Sequence, residues 1–178
     1  SEKEKAREVV KKLKKRVDEA HKKTKDVVEE LRKRNRDVHR TTREVVRDLL
    51  KKVKDVERRG EVSEEVVRRV EERLREVVEE DEKSVRESER VLDEVEKDDR
   101  RLVEEIRRRL EDVVRMVEAG KDVETLIERL RELIDELRRR SEKLIKELRE
   151  VTKRNKERSD RLIKELEDLV KKLKDDAT

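Results

Sequence analysis

Histidine, aspartate and serine recur in this sequence at a constant interval, and together they are the side chains of a hydrolytic catalytic triad. The chain contains three matched pairs, each separated by eighteen positions: His21 and His39, Asp81 and Asp99, and Ser141 and Ser159. In a triad the serine hydroxyl attacks the substrate, the imidazole takes up its proton and the carboxylate holds the imidazole in place. The residue types therefore raise the question of catalysis directly.

The surroundings predicted for these residues argue against an enzyme. A triad needs an exposed nucleophile, a cleft and free N–H groups that stabilise an oxyanion. All six residues lie in predicted helix interiors, where each backbone N–H is already bonded to the carbonyl four residues earlier. Two copies of the set, about 27 Å apart at 1.5 Å per residue, also suit a repeated structural layer better than one active centre. We predict that the chain is not an enzyme.

Cofactor, metal and nucleic-acid binding are not expected either. One histidine and one aspartate per set fall short of the three or four ligands of a zinc site. The isoelectric point of about 9.1 rests on 55 basic against 51 acidic residues, which is a small excess. The chain has no Phe, Tyr or Trp on which bases could stack, and it carries no recognition motif for DNA or RNA.

Apolar residues follow the same interval of eighteen and define the elements that must position the polar ones. In the last third of the chain the repeat is seen in three successive sets: Leu126, Ile127 and Leu130; Leu144, Ile145 and Leu148; Leu162, Ile163 and Leu166. Five turns of an α-helix take about eighteen residues, so these positions stay on one side of a helix. With 60% charged residues and no proline, the composition is typical of long helices.

Two glycines divide the chain into near-equal thirds. Gly60 and Gly120 suit the left-handed position that ends a helix, and Ser63 and Asp122 suit the N-caps of the helices that follow. We predict an all-α fold, an antiparallel three-helix bundle of long, nearly straight helices with short loops, which forms a single domain over residues 1–178. The predicted helices span about residues 2–58, 63–118 and 122–175.

Charge is distributed unequally among the three predicted helices. Residues 1–59 contain 23 basic and 13 acidic residues, residues 60–118 contain 14 and 22, and residues 119–178 contain 18 and 16. The first two stretches therefore carry net charges of opposite sign. Opposite charge on neighbouring helices favours a particular packing arrangement.

Polar residues interrupt the apolar faces and form a candidate structural polar core. The predicted members are His21, Thr24, Asn35, His39, Thr42, Asp81, Ser84, Ser88, Asp99, Ser141, Thr152, Asn155 and Ser159. Folding the chain about the two glycines places three sets at the same height: His39 with Asp81 and Ser159, His21 with Asp99 and Ser141, and Asn35 with Ser88 and Thr152. An unpaired buried polar group costs about 1 to 3 kcal/mol, so we expect layers in which these side chains bond one another.

The combination of features resembles a known class, the computationally designed, parametrically generated helical bundles with buried hydrogen-bond networks. The resemblance rests on the eighteen-residue layers, the Glu/Lys/Arg surface, the turn sequences GEVSEE and GKDVET, and the repeated His, Asp and Ser positions. It implies a stable de novo scaffold without natural activity, in which the networks fix helix pairing and register. Many members of that class are oligomers, whereas this chain contains three helices of its own, so the oligomeric state is left open.

Three functions are compatible with the sequence. The first is a monomeric structural scaffold that requires no partner. The second is a helical interaction module that forms a homo-oligomer or docks a designed helical partner chain, and the third, less favoured, is a natural coiled-coil spacer of the spectrin type. No apolar run approaches the roughly 18 residues of a membrane span, and no signal peptide is recognised. We expect a soluble protein without a targeting signal, whose localisation the sequence leaves unknown and which is suited to recombinant cytoplasmic expression.

Overall fold

The computed structural model describes residues 1–177 and contains three α-helices joined by short loops. Helix α1 spans Glu2–Arg59, α2 spans Glu64–Glu118 and α3 spans Glu124–Ala177. Every pair of helices is in contact, and no strand occurs in the described residues, so the prediction of an all-α three-helix bundle is confirmed. The helix boundaries lie within two residues of those predicted.

Both glycines end their helices in the left-handed conformation. The φ angles are 66° at Gly60 and 72° at Gly120. Gly120 N–H donates to the Val117 carbonyl at 3.0 Å, and Lys121 N–H donates to the Met116 carbonyl at 3.0 Å, which is the Schellman arrangement. A Cβ at either glycine would meet no atom within 4 Å. Glycine is therefore needed for the backbone angle and not for space.

Side-chain caps begin α1 and α2, and a different turn precedes α3. Ser1 Oγ accepts from Glu4 N–H at 3.3 Å, and Ser63 Oγ accepts from Val66 N–H at 3.4 Å. Asp122 differs from the prediction, because its Oδ1 accepts from Glu124 N–H at 3.0 Å, only two residues on. The first helical carbonyl is that of Val123, which accepts from the N–H of residue 127 at 2.9 Å. Asp122 thus forms an Asx turn one residue before the N-cap.

The described chain divides into two compact units, each made from segments of all three helices. The first unit combines residues 1–30 with residues 91–149. Its core is built from valine, leucine and isoleucine side chains, and Val17, Ile106 and Leu110 are fully inaccessible to solvent. Ion pairs give the direction of its helices: as α1 is followed from Arg7 to Asp18, the α2 partner changes from residue 118 to residue 107, so α1 and α2 are antiparallel.

The second unit combines residues 31–90 with the chain from residue 150 onward. Its core is again aliphatic, and Val53, Leu74 and Leu166 are fully inaccessible to solvent. Arg73 pairs with Glu165 at 3.1 Å, which joins α2 to α3. That residues 1–178 form a single domain stays a prediction.

Candidate functional site

Each unit contains one network of buried polar side chains built around a histidine and an aspartate. In the first unit, His21 of α1 donates from Nδ1 to Asp99 Oδ2 of α2 at 2.7 Å. The Asp99 side chain is 7% exposed, whereas that of His21 is 31% exposed. The carboxylate is therefore removed from water while one edge of the imidazole still reaches it.

Two atoms of this first network have no partner. Asp99 Oδ1 and Thr24 Oγ1 are buried without a hydrogen bond to any group among the described residues. This corrects the expectation that every member of the layers is bonded. Ser141, predicted at the same height, is buried and lies with Thr24 and Asp99 around one cavity. A shared height along the bundle therefore does not by itself bring the polar atoms within hydrogen-bond distance.

The second unit repeats the pair, and a serine lies beside its carboxylate. His39 donates from Nδ1 to Asp81 Oδ2, and the hydroxyl of Ser159 on α3 lowers the pKa of Asp81. The Asp81 side chain is 4% exposed and that of His39 is 22% exposed. The pair joins α1 to α2, and Ser159 of α3 lies beside it at the height that the sequence predicted.

The remaining polar residues of the second unit pair differently from the prediction. Asn155 Nδ2 of α3 donates to Ser88 Oγ of α2 at 2.7 Å, whereas Asn35 Nδ2 has no partner among the described residues. Thr42 Oγ1 donates to the Val38 carbonyl of its own helix at 3.0 Å, so it does not bridge helices. The expected set of Asn35, Ser88 and Thr152 is therefore not joined by mutual bonds, because Ser88 is bonded by Asn155 and Asn35 Nδ2 reaches neither hydroxyl.

Arg158, which is not among the polar residues predicted from the sequence, also contacts this part of the second unit. Arg158 of α3 donates to Ser84 Oγ of α2 at 3.4 Å and pairs with Glu80 at 3.6 Å. The only sequence signal for it is its position one residue before Ser159. A charged residue in a chain with 60% charge is difficult to distinguish from the solvated surface.

Burial separates the thirteen predicted polar residues into two groups. Eight are buried: Thr24, Asn35, Thr42, Asp81, Asp99, Ser141, Thr152 and Ser159. The other five are half-buried: His21, His39, Ser84, Ser88 and Asn155. The polar residues thus lie on the inward side of the helices. The five half-buried ones lie nearer to solvent than the eight buried ones.

Both aspartates of the networks have perturbed acidity. Burial raises the pKa of the Asp81 carboxyl above its ordinary value, and the hydrogen bond from His39 opposes this shift only in part. Burial likewise raises the pKa of Asp99, again against the hydrogen bond from His21. The outcome is opposite for the exposed Glu118, because a hydrogen bond from Arg7 lowers the pKa of its carboxyl.

The raised pKa values predict a gain of stability through these two groups on mild acidification. A carboxyl with a higher pKa in the folded state takes up its proton there first, so the folded state binds more protons than the unfolded state between the two pKa values. The free-energy contribution of Asp81 and Asp99 should therefore increase as the pH falls through their folded pKa toward the ordinary carboxyl pKa of 3.8. Below that value the gain is complete.

Denaturant unfolding at several pH values between about 7 and 4 measures this contribution. The parent is compared with a variant carrying Asp81→Asn and Asp99→Asn, which keeps the side-chain shape and lacks the titrating groups. The difference in unfolding free energy between parent and variant should shift in favour of the parent as the pH falls. A difference that stays constant, or shifts the other way, would contradict the assignment.

The networks differ from a catalytic triad in their bonding. In a triad the serine hydroxyl bonds the imidazole, whereas here the Ser159 hydroxyl lies beside the Asp81 carboxylate. Residues 1–177 contain no group of three or more His, Cys, Asp or Glu side chains arranged to hold a metal ion. None of the helices in this part of the chain has an apolar segment of the length that a bilayer crossing requires. The described polar side chains form hydrogen bonds between helices, as in His21–Asp99, His39–Asp81 and Asn155–Ser88.

Comparison of the chain with protein-family models, with curated proteins and with solved structures found no match.

Proposed function

We propose that the chain is a structural scaffold, a de novo designed bundle without a natural biochemical activity, in which the buried polar networks specify helix pairing and register. It functions as a monomer and needs no partner, cofactor or nucleic acid. The proposal is supported by the resemblance of the sequence to designed bundles and by the placement of one His–Asp pair at the end of each aliphatic core cluster.

One observation carries the role in register. On α2, Asp81 has Val77 four residues before it and Val85 four residues after it, and Asp99 is placed in the same way between Val95 and Val103. Four residues are close to one helical turn. A slip of α1 against α2 by one turn in either direction would therefore put each imidazole against a valine.

Such a slip would leave both carboxylates without their imidazole partners. A buried charge that loses its partner is strongly destabilising, by about 3 to 5 kcal/mol for a well-buried pair. Apolar contacts alone discriminate less, because valine and leucine one turn apart offer similar surfaces to the facing helix. The polar pairs therefore add a penalty for incorrect registers that the repeating apolar positions lack.

Removal of the pairs tests this function. A quadruple variant carries His21→Leu, His39→Leu, Asp81→Leu and Asp99→Leu. We expect the parent to give one set of amide resonances and the mass of one chain, 21.6 kDa, by light scattering over about a hundredfold range of concentration. The variant should remain helical but show extra amide resonances or larger masses, because incorrect registers and intermolecular pairing are no longer penalised.

A conservative variant serves as the control. His39→Asn keeps an N–H donor near the position of Nδ1, so it should retain the single species of the parent. A quadruple variant that keeps one set of resonances and the mass of one chain would refute the role in register. A parent that is already a homo-oligomer would favour the interaction module instead.

A further inference from the structure

Basic residues form a continuous row along the exposed side of α1 in the second unit. Successive members are three or four residues apart, and the average step is close to the 3.6 residues of a helical turn, so all of them lie on one side of the helix. Every member is exposed to solvent. The basic row consists of Lys33, Arg36, Arg40, Arg43, Arg47, Lys51, Lys54 and Arg58. At 1.5 Å per residue it is about 37 Å long.

Carboxylates neutralise only a small part of the basic row. Four acidic residues follow one flank of it: Asp37, Glu44, Asp48 and Asp55. Arg40 pairs with Asp37 at 3.3 Å, and Arg58 pairs with Asp55 at 3.9 Å. The other six cations of the row form no ion pair within residues 1–177. Most of the row is therefore free to bind an anion.

The small net charge of the chain conceals this local excess. Residues 33–58 contain ten basic and five acidic residues, whereas the net charge of the whole chain is only +4. Exposed charges more than about 10 Å apart are largely screened from one another at 0.1 M salt. An anion at the basic row is therefore attracted by the local excess and is little affected by acidic residues elsewhere.

The first unit lacks an equivalent row, although α1 continues through it. Eighteen residues before Arg36 and Arg47, the repeat has Asp18 and Glu29. Asp18 pairs with Arg107 of α2 at 2.9 Å. Acidic residues thus interrupt the same side of the helix in the first unit, and the uninterrupted line of cations is particular to the second.

The shape and chemistry of the basic row favour a linear polyanion with phosphate groups. Five of its eight members are arginines, whose forked guanidinium groups match phosphate oxygens. The row contains no apolar residue of the kind that anchors an amphipathic helix in a membrane interface. A flat anionic membrane would also meet the acidic flank. A narrow row suits a convex, rod-shaped partner better.

We propose that the basic row of the second unit binds the phosphate backbone of double-stranded DNA without regard to sequence. Its length is close to one turn of the duplex, about 34 to 36 Å. Single strands are less suitable, because the chain has no Phe, Tyr or Trp on which unpaired bases could stack. Phosphate contacts fix the position of a protein on DNA but do not read its sequence. The scaffold function does not require this binding.

Fluorescence anisotropy with a labelled duplex of about 24 base pairs tests the proposal on the full chain. The row faces one side of the duplex, so we expect contacts to about five phosphates and a slope of about −4.5 for log K against log salt. The dissociation constant should be about 1 μM at 50 mM NaCl and about 100 μM at 150 mM NaCl. Two duplexes of unrelated sequence should bind equally.

Two variants with the same net charge separate the row from the charge of the whole chain. The first variant carries Arg36→Gln, Arg43→Gln, Arg47→Gln and Lys54→Gln. The control replaces four exposed residues of α3 and carries Lys153→Gln, Lys164→Gln, Lys171→Gln and Lys172→Gln. Glutamine has a high helix propensity, and circular dichroism verifies that both variants are folded. The first should bind at least about tenfold more weakly at 50 mM NaCl, with a slope of about −2.5, whereas the control should stay within about twofold of the parent.

Several outcomes would overturn the proposal. These are an absence of duplex binding at 50 mM NaCl up to about 100 μM protein, and an equal loss of affinity in both variants, which would assign binding to net charge. Tighter binding to a single strand, to vesicles containing phosphatidylserine or to polyglutamate would assign the row to another partner. Since none of these measurements reports helix register or oligomeric state, they are independent of the scaffold function.

Discussion

Replacing His39 with leucine should lower the free energy of unfolding by about 3 kcal/mol at neutral pH, because the change leaves the buried carboxylate of Asp81 without its imidazole. The hydroxyl of Ser159 lies beside Asp81, but the Asp81 side chain is only 4% exposed, so water cannot fully replace the lost donor. The value lies at the lower end for broken buried pairs, since the His39 side chain keeps 22% exposure.

The matched double variant separates the interaction from the cost of burial. When Asp81→Leu is added to His39→Leu, no buried charge remains, and an aliphatic pair can pack in its place. We expect the double variant to recover most of the loss, ending within about 1 kcal/mol of the parent or above it. Guanidinium unfolding followed by circular dichroism measures all three proteins. A double variant that loses as much as the single one would show that packing, and not the unpaired carboxylate, causes the effect.

Replacing Leu74 with alanine should destabilise the protein by about 3 kcal/mol, within the range of about 2 to 5 kcal/mol for fully buried leucines. Leu74 is inaccessible to solvent in the core of the second unit. The side chains around it belong to long helices whose backbones cannot move independently to close the gap. The loss therefore includes both the transfer of the removed atoms and the cavity that they leave.

The matched control for this change is Leu126→Ala. Leu126 lies in the first turns of α3 and is 38% exposed, so the same atoms are removed where water already reaches them. We expect it to cost less than about 1 kcal/mol. Guanidinium midpoints with unchanged slopes would give both values directly. Similar losses at the two positions would contradict the assignment of Leu74 to a tightly packed core.

The helices and the pairing of histidine with aspartate could be predicted because both depend on spacing alone. Gly60 and Gly120 mark helix ends by their backbone preference, and folding the chain about Gly60 brings His39 to the height of Asp81. The structure places these two residues in direct contact. Such predictions need only the constant rise of a helix and the direction of its turn.

The detailed bonding could not be predicted, because it depends on side-chain directions within a layer. Asn155 reaches Ser88 across the α2–α3 contact, whereas Asn35 at a similar height does not bond it. The hydroxyls of Thr42 and Thr24 occupy the same position in the repeat, yet only that of Thr42 finds a carbonyl. Each case depends on the position and direction of one side chain, and the repeat contains no information on side-chain directions.

The cavity of the first unit escaped prediction for a related reason. Leu102 and Leu137 continue the apolar repeat, so the sequence pattern indicates a filled core at their positions. Whether aliphatic side chains fill the space between three helices depends on their volumes and directions together. The more polar second unit is the better filled at the equivalent position, which is the reverse of what hydrophobicity alone would indicate.

The discontinuous make-up of the two units sets an order for their completion during protein synthesis. The first unit needs nothing beyond residue 149, whereas the second unit, which contains the earlier loop around Gly60, also needs the chain from residue 150 onward. On the ribosome, the hairpin of the second unit is therefore made first, but its third segment emerges only after the first unit is complete. The antiparallel α1–α2 surface of residues 31–90 has to wait, with its aliphatic side uncovered, until the segment from residue 150 onward has been made.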